Sequence, residues 1–486
     1  MQASPRWHQT TWFAAAALSL LTASVYWPVA SFGFLNWDDP WYVVDNPLVK
    51  SWAPPNLYAI ATEPCSKNFA PLTIFTLLVE HTLFGGWAGG YHLVNALLHA
   101  ACAVLVLRLV RQATGSDWTG WFTAILFAVH PIQVETVAWV SSLKSLLAAL
   151  FMLVSLKHWL KPERSARDEG WGLAWLVVAL LCKASAVVTP ALVLSYDVIV
   201  SRQRFSEALS RQVLPGLFCL MALFLNMHAQ NQIWGGTRDH YDWGLARILA
   251  VDSLIVWRYL GMLALPTDLS VMYDVRGDGL WPAALIAGLA WLAVAGAAWR
   301  ARRVAPLATW GVVAWGLLLF PVLNIFPITT LMNDRYLYLP CVLAFAGVGA
   351  GVQWIAGRIA WRTPGPAQTR RTLAARIAVG AVVAVLLIGL TAGYSTAAQS
   401  YVPVWRNSRS LWRHALERAP DMPVVQIQWA LTLHSEGRVF EACATLEQAR
   451  TSGRIDDGDR RRIQRLLEEW RGTPRSEELA SAAASH

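Results

Sequence analysis

Asp38 and Asp39 stand side by side where the first apolar run, Thr11 to Phe34, gives way to polar sequence, and Pro40, Trp41 and Tyr42 follow them. Carboxylates are costly in hydrocarbon and aromatic rings gather at the headgroup level, so an acidic pair in this surround suggests a reaction centre at one face of a bilayer. The chemistry open to it is proton abstraction. A partly desolvated carboxylate has its pKa raised toward a useful range, and a second carboxylate beside it raises it further. One of the pair could act as base while the other orients an acceptor or binds a divalent cation. The competing reading is that either Asp merely caps a helix starting at Pro40.

Glu135, in HPIQVE at the end of another apolar run, is the third catalytic candidate, because an acid held there without a task is expensive. His130 with Pro131 would end the preceding helix and aim Glu135 back toward the pair; His130 reads equally as a structural residue or a substrate contact. Isolated cations recur near the same face: Lys144, Lys183, Arg258 and Arg335. Each is a candidate contact for an anionic substrate, against the alternative of an internal ion pair. Arg335, in NDRYLYLP, is the preferred phosphate contact, since a planar guanidinium suits bidentate binding; Asp334 beside it would orient it. His92, Asn95 and His99 share one helix face by spacing, giving either a polar network between helices or a line of substrate contacts.

Such residues need a membrane to position them. Of 486 residues 55% are hydrophobic and 15% charged, too few charges for a soluble chain of this size, and the 27 Trp suit the two interfaces. A net charge of +9 could point to nucleic acid, but the basic residues cluster in short loops between apolar runs. That is the positive-inside pattern, so membrane lipid is the expected partner and nucleic acid is not. The first span lacks a clean cleavage site and is read as a retained helix. Further spans are read at 91–111, 119–137, 144–160, 171–183, 184–200, 213–229, 281–299, 306–326, 336–356 and 376–395. Each is close to the roughly 20 residues a crossing needs.

Placing the loops with Arg108/Arg111, Lys157/Lys161/Arg164/Arg167, Arg202/Arg204/Arg211, Arg300/Arg302/Arg303 and Arg358/Arg362/Arg370/Arg371 in the cytoplasm puts Asp38 and Asp39 outside. The apolar segment 247–265, carrying Asp252 and Arg258, breaks the alternation and reads as a re-entrant or interfacial helix. About eleven crossings remain, with the carboxyl terminus outside. The six Cys are scattered, and their spacing argues neither a disulfide nor a zinc site.

The expected architecture is all-α: a multi-spanning domain over 1–397, whose first outer loop (34–90) holds the acidic pair, then a soluble helical domain over 398–486. Within 421–450, Ala430, Leu433, Gly437, Ala442, Leu446 and Ala449 fall at the small and apolar positions of a tetratricopeptide helix pair. Any helical hairpin would share that pattern. So short an array needs a surface to dock on, and the tail from Asp456 reads as a capping helix followed by a disordered end.

FLNWDDPWYVVDNPLV, NFAPLT, YHLVNALLHA, FAVHPIQVETVAWV, CKASAVVTPALVLSYD, VWRYLGMLALPTDLSVMY, LMNDRYLYLP and VWRNSRSLWRHAL follow one another in an order that closely resembles one family. The chain is similar, from Phe34 to about Arg450, to the transmembrane and tetratricopeptide-repeat-containing O-mannosyltransferases and their bacterial relatives, of the GT-C glycosyltransferase superfamily. The resemblance implies a GT-C-like bundle, a polyprenyl-phosphate-linked sugar donor, transfer on the outer face, and an acid of the first outer loop as base, which Asp38 and Asp39 match. Relatives usually carry His or Arg where this chain has Ala70, and an Arg and an Asp where it has Leu143 and Ser145 around Lys144. Altered specificity is favoured over lost catalysis.

The expected function is therefore transfer of mannose or another hexose to a hydroxyl acceptor, Ser or Thr of an exported protein. The alternatives are transfer to a lipid or surface glycan, or a non-catalytic scaffold. A bacterial inner membrane, with site and carboxyl terminus in the periplasm, is the expected location.

Overall fold

The computed structural model describes residues 7–66, 68–234, 243–275, 279–325, 330–361, 370–451, 455 and 457–471. Among them the regular elements are all helices, with one isolated bridge between Cys65 and Asn68. Helix α1 (Trp7–Tyr26) runs into a 3-10 turn over Trp27–Ser31 and then into the extended segment that brings in the acidic pair. Helices α2 (Pro54–Thr62) and α3 (Pro71–Phe84) follow, each opened by a proline whose fixed φ and missing N–H suit a first helical turn.

Helix α4 (Ala88–Thr114) stops at Gly115, which takes the left-handed φ of 65° that spares glycine the Cβ clash. Helix α5 (Asp117–Val129) starts on Ser116, whose side chain accepts from the Thr119 amide. Pro131 cannot continue it, and α6 (Val134–Ala138) leaves at 55° after a short 3-10 turn. Helices α7 (Leu143–Trp159) and α8 (Ala166–Cys182) pack closely because Gly172 faces Trp159: a Cβ there would lie 2.3 Å from the indole Nε1. Then come α9 (Thr189–Ile199), α10 (Phe205–Arg211), α11 (Val213–Trp234), α12 (Leu245–Ala264), α13 (Trp281–Ala301), α14 (Pro306–Leu319), α15 (Pro340–Trp361) and α16 (Arg370–Tyr401).

Seven helical stretches among the described residues are long and apolar enough to cross a bilayer: 12–31, 88–114, 140–159, 213–230, 281–301, 340–359 and 377–405. The bent pair 117–138 is an eighth if taken as one span. The chain is a multi-pass, all-α membrane protein. Spans read at 184–200 and 306–326 correspond to shorter apolar helices, 184–199 and 306–322. The span read at 171–183 is the apolar part of α8, which opens in the charged sequence Arg167, Asp168, Glu169. Segment 247–265 is one continuous helix, α12, whose buried Asp252 accepts from the Asn324 backbone and side-chain amides at 2.8–3.2 Å.

Helix α16 has 32 residues, about 48 Å at 1.5 Å per residue, against a hydrocarbon core of about 30 Å. It runs past the expected boundary at 397 and delivers the chain to α17 (Ser408–Arg418), α18 (Pro423–Ser435), α19 (Val439–Thr451) and α20 (Asp457–Arg471). Gly437, with φ of 79°, turns α18 into α19. Ala430, Leu433, Ala442, Leu446 and Ala449 are buried between these helices and against Ile463, Leu467 and Trp470 of α20, forming a small core of their own. Trp412 and Ala415 of α17 belong instead to the main core. The tail beyond 471 lies outside the described residues.

Candidate active site

The two aspartates part company at once. Asp39 is fully buried; its Oδ2 accepts from the Leu35 amide at 2.8 Å, and its Oδ1 accepts from Ser141 through the amide at 3.1 Å and the hydroxyl at 2.5 Å. It ties the loop after α1 to the turn between α6 and α7. Burial, and in smaller measure the charge of Asp38, push its carboxyl up to about 6 even though these donors pull the other way. Asp38 keeps 23% of its side chain exposed, and its Oδ2 lies 3.2 Å from Lys144 Nζ. Neither side chain caps the π-helical turn Pro40–Val44. Pro40 starts that turn, which swings Tyr42 beneath Lys144, 4.0 Å from Nζ to the ring centre.

Glu135 and Arg335 meet across the bundle. The bend at Pro131 carries Glu135 inward, and the 3-10 turn Asp334–Leu337 at the mouth of α15 presents Arg335. Glu135 Oε2 accepts from the Arg335 amide at 2.9 Å while Oε1 pairs with the guanidinium. Glu135 is wholly buried, whereas Arg335 keeps 15% of its side chain exposed. Arg335 and Lys144 flank one ring, Trp139, at 5.4 and 5.9 Å from its centre. Lys183, at the carboxyl end of α8, donates to Ser145 at 2.9 Å and lies within electrostatic reach of Lys144, Arg335, Glu135 and Asp38. Asp38, Glu135, Lys144, Lys183 and Arg335 therefore form one charged cluster, with Lys144 and Arg335 on Trp139 and Asp38 as its more exposed acid.

The other sequence candidates hold the scaffold. Asp334 receives hydrogen bonds from the hydroxyls of Tyr273 and Tyr401, the latter at 3.2 Å, and lies within electrostatic reach of Arg335. Burial and the Glu135 charge raise its carboxyl well above the ordinary range. His130 is engaged at both nitrogens, Nε2 to the Leu263 carbonyl at 3.1 Å and Nδ1 accepting from the Ile132 amide at 3.2 Å. Arg258 stands apart, half-exposed, 3.6 Å from Asp268 and over the ring of Tyr273. His92 Nε2 meets the Gly33 carbonyl at 3.3 Å, Asn95 donates to the Trp139 carbonyl at 2.8 Å, and His99 meets the Tyr338 hydroxyl at 2.9 Å. That helix face is a network pinning the loops that carry the site.

Sequence reading missed Ser141 and Trp139, and it noted Tyr42 and Ser145 without their contacts to Lys144 and Lys183. Ser141 had a faint signal, two serines at the junction of two apolar runs just before Lys144; partners so far apart in the chain leave no spacing to read. Nor does sequence show that the carboxyl-terminal helices reach the loop after α1. The Gly33 amide donates to the Arg406 carbonyl at 3.0 Å and the Asn36 amide to Ser408 Oγ at 2.9 Å. Trp412 Nε1 donates to Asn36 Oδ1 at 2.6 Å, and Asn36 Nδ2 donates to Thr432 at 3.0 Å. Among the described residues no group of three or more His, Cys, Asp or Glu side chains could hold a metal ion.

No family model matches the chain. It is 33% identical over 178 residues to the protein O-mannosyl-transferase TMTC2 of Mus musculus, which covers 35% of this chain and 21% of that one. To the protein O-mannosyl-transferase TMTC4 of Homo sapiens it is 30% identical over 164 residues, 29% of this chain and 22% of that one. To the protein O-mannosyl-transferase Tmtc2 of Drosophila melanogaster it is 31% identical over 169 residues, 32% and 18%. The match thus spans about a fifth of the length of these relatives. Among solved structures, ArnT of Cupriavidus metallidurans in the apo state gives a TM-score of 0.44 at 15% identity, over 86% of this chain and 81% of that one. By sequence, over about a third of its length, the chain is a homologue of the transmembrane and tetratricopeptide-repeat O-mannosyltransferases whose motifs it resembles.

Proposed function

We propose that the chain is a membrane glycosyltransferase that moves mannose or another hexose from a polyprenyl-phosphate donor to the hydroxyl of Ser or Thr in an exported protein, with Asp38 as base. The observation that carries this reading is the charged cluster: a partly exposed carboxylate paired with Lys144, Arg335 sharing the Trp139 ring with Lys144, and Lys183 within electrostatic reach. The protein O-mannosyl-transferase relatives support the reaction class.

In this mechanism the acceptor hydroxyl gives its proton to Asp38 as its oxygen attacks the anomeric carbon, and the bond from that carbon to the phosphate oxygen breaks. Negative charge grows on the departing lipid phosphate, where Lys144, Lys183 and Arg335 stabilise it. Ser145 accepts a hydrogen bond from Lys183 and so fixes where that side chain can meet the phosphate. Lys144 also holds the Asp38 side chain in place through its contact with Oδ2. Asp39 and Glu135 are positioning residues here: one fixes the loop that carries Asp38, the other aims Arg335. The site faces the periplasm of a bacterial inner membrane, and the tetratricopeptide-like helices 398–471 guide the acceptor.

The test is transfer of radiolabelled hexose from polyprenyl phosphate to exported acceptors by wild type and Asp38→Asn. Asp38→Asn is expected to insert normally and lose activity by about 10²–10⁴-fold. Full activity in that variant overturns the base assignment, and label on a lipid or glycan reassigns the acceptor. An arm with EDTA reads whether a divalent cation joins the three protein cations. No label with any donor, from folded wild type, would leave the scaffold reading.

A further inference from the structure

A second feature lies far from the charged cluster. A cavity of about 820 Å³ opens between α4, α12, α13, α14 and α15, within the roughly 300–1,000 Å³ of ordinary ligand pockets. Five indoles line it, Trp257, Trp291, Trp310, Trp315 and Trp354, and Thr114 is the single hydroxyl in its wall. Position along the helices sets its depth. On α4 the site end carries His92 and Asn95, while the cavity touches Leu109 to Thr114. On α15 it runs from Val342 to Trp354, away from Arg335. Those thirteen residues span about 18 Å, somewhat more than half of a 30 Å hydrocarbon core. The cavity therefore reaches the end of the bundle opposite the candidate active site.

Its far rim is basic. Arg302 and Arg303 immediately precede the wall residues Ala305 and Pro306, and Arg358 follows Trp354 by one turn with its guanidinium 4.7 Å from that ring's centre. Arg302 lies over Trp299 at 3.9 Å. Arg111 and Lys161, also nearby in sequence, are paired with Asp117 and Asp168 and count for less. An apolar chamber one leaflet deep with guanidinium groups at its headgroup-level end matches one chemistry: acyl chains joined to an anionic head. We propose that this cavity is a binding site for an anionic glycerophospholipid of the leaflet opposite the active site, its chains among the indoles and its phosphate on Arg303 and Arg358. The assignment does not depend on the transferase reading.

The indoles supply the assay. Full-length protein in detergent micelles is titrated with phosphatidylglycerol or phosphatidylcholine carrying brominated stearoyl chains, and quenching of tryptophan fluorescence is followed. Phosphatidylglycerol is expected to quench saturably and at lower concentration than phosphatidylcholine. Gly311→Leu with Gly347→Leu should remove most of that quenching, because a Cβ at either wall position meets nothing within 4 Å and the new side chains enter the cavity. Arg303→Gln and Arg358→Gln should each raise the half-saturating phosphatidylglycerol concentration about fivefold and leave phosphatidylcholine unchanged. The arginine variants decide the matter if the leucine pair fails to fold. Equal half-saturation for the two lipids, or unchanged quenching in a folded leucine pair, overturns the proposal. Relief of the quenching by an unbrominated polyprenyl phosphate also overturns it, and gives the cavity to the donor's tail.

Discussion

Asp39 is wholly buried and accepts three hydrogen bonds, whereas Asp38 touches Lys144 and solvent. With its carboxyl raised to about 6, Asp39 takes up a proton as pH falls through that value, and the new O–H must face donors it formerly accepted from. Transfer is expected to fall below about pH 6, and Asp39→Asn should flatten that acidic limb while lowering the rate at neutral pH. A pH profile of kcat/KM checks both. The sign of the linkage separates this from unfolding. A carboxyl raised on folding makes the folded state bind more protons between its unfolded value, about 3.9, and about 6, so its contribution to stability grows on acidification. The activity loss is thus local. Arg335→Gln should cost about 3–5 kcal/mol, because Glu135 would remain as a buried, unpaired charge. Adding Glu135→Gln should restore much of that stability and none of the transfer; thermal unfolding and donor KM, measured together, read the difference.

At the scale of elements, close approach at glycine sets the site's dimensions. A Cβ at Gly89 would lie 2.0 Å from the Ala30 carbonyl oxygen, a backbone atom that cannot swing aside. The contact joins the start of α4 to the turn leading into the acidic pair. Gly89→Ala is expected to destabilise by about 1–3 kcal/mol and to lower transfer by displacing residues 33–39. Gly86→Ala, where a Cβ meets nothing within 4 Å, is the control in a thermal-shift and transfer comparison. The bend between α5 and α6 was legible at this scale, since Pro131 removes a donor and forces His130 out of the helical region. The length of the later helices was less so: runs such as 171–183 and 306–326 are apolar throughout, and hydropathy alone does not show where a helix stops.

For the whole molecule, the carboxyl-terminal helices are a wall of the site as well as an appendage. Arg406, Ser408, Trp412 and Thr432 hold Gly33 and Asn36 directly, and Trp412 is fully buried in the main core. Trp412→Ala is therefore expected to cost about 3–5 kcal/mol and to abolish transfer, well beyond any change of acceptor choice. Asn36→Ala, a milder cut, should lower kcat several-fold with little change in donor KM. Full transfer by Trp412→Ala would show that these helices serve acceptor delivery alone.

Much of this protein is written in one dimension. A bilayer asks only for apolar stretches of a given length and for charge at their ends, so the all-α, multi-pass architecture could be read from composition, and the acids and cations worth attention from their cost in hydrocarbon. The face shared by His92, Asn95 and His99 followed from helical spacing in the same way. Tertiary structure alone decided the partners within that set. Whether a carboxylate is a base, a clamp or half of an ion pair depends on which donors surround it, and Ser141, Arg335, Tyr273 and Tyr401 reach their acids from distant parts of the chain. Neither a sequence interval nor a hydropathy pattern encodes those meetings; they exist only once the helices have packed.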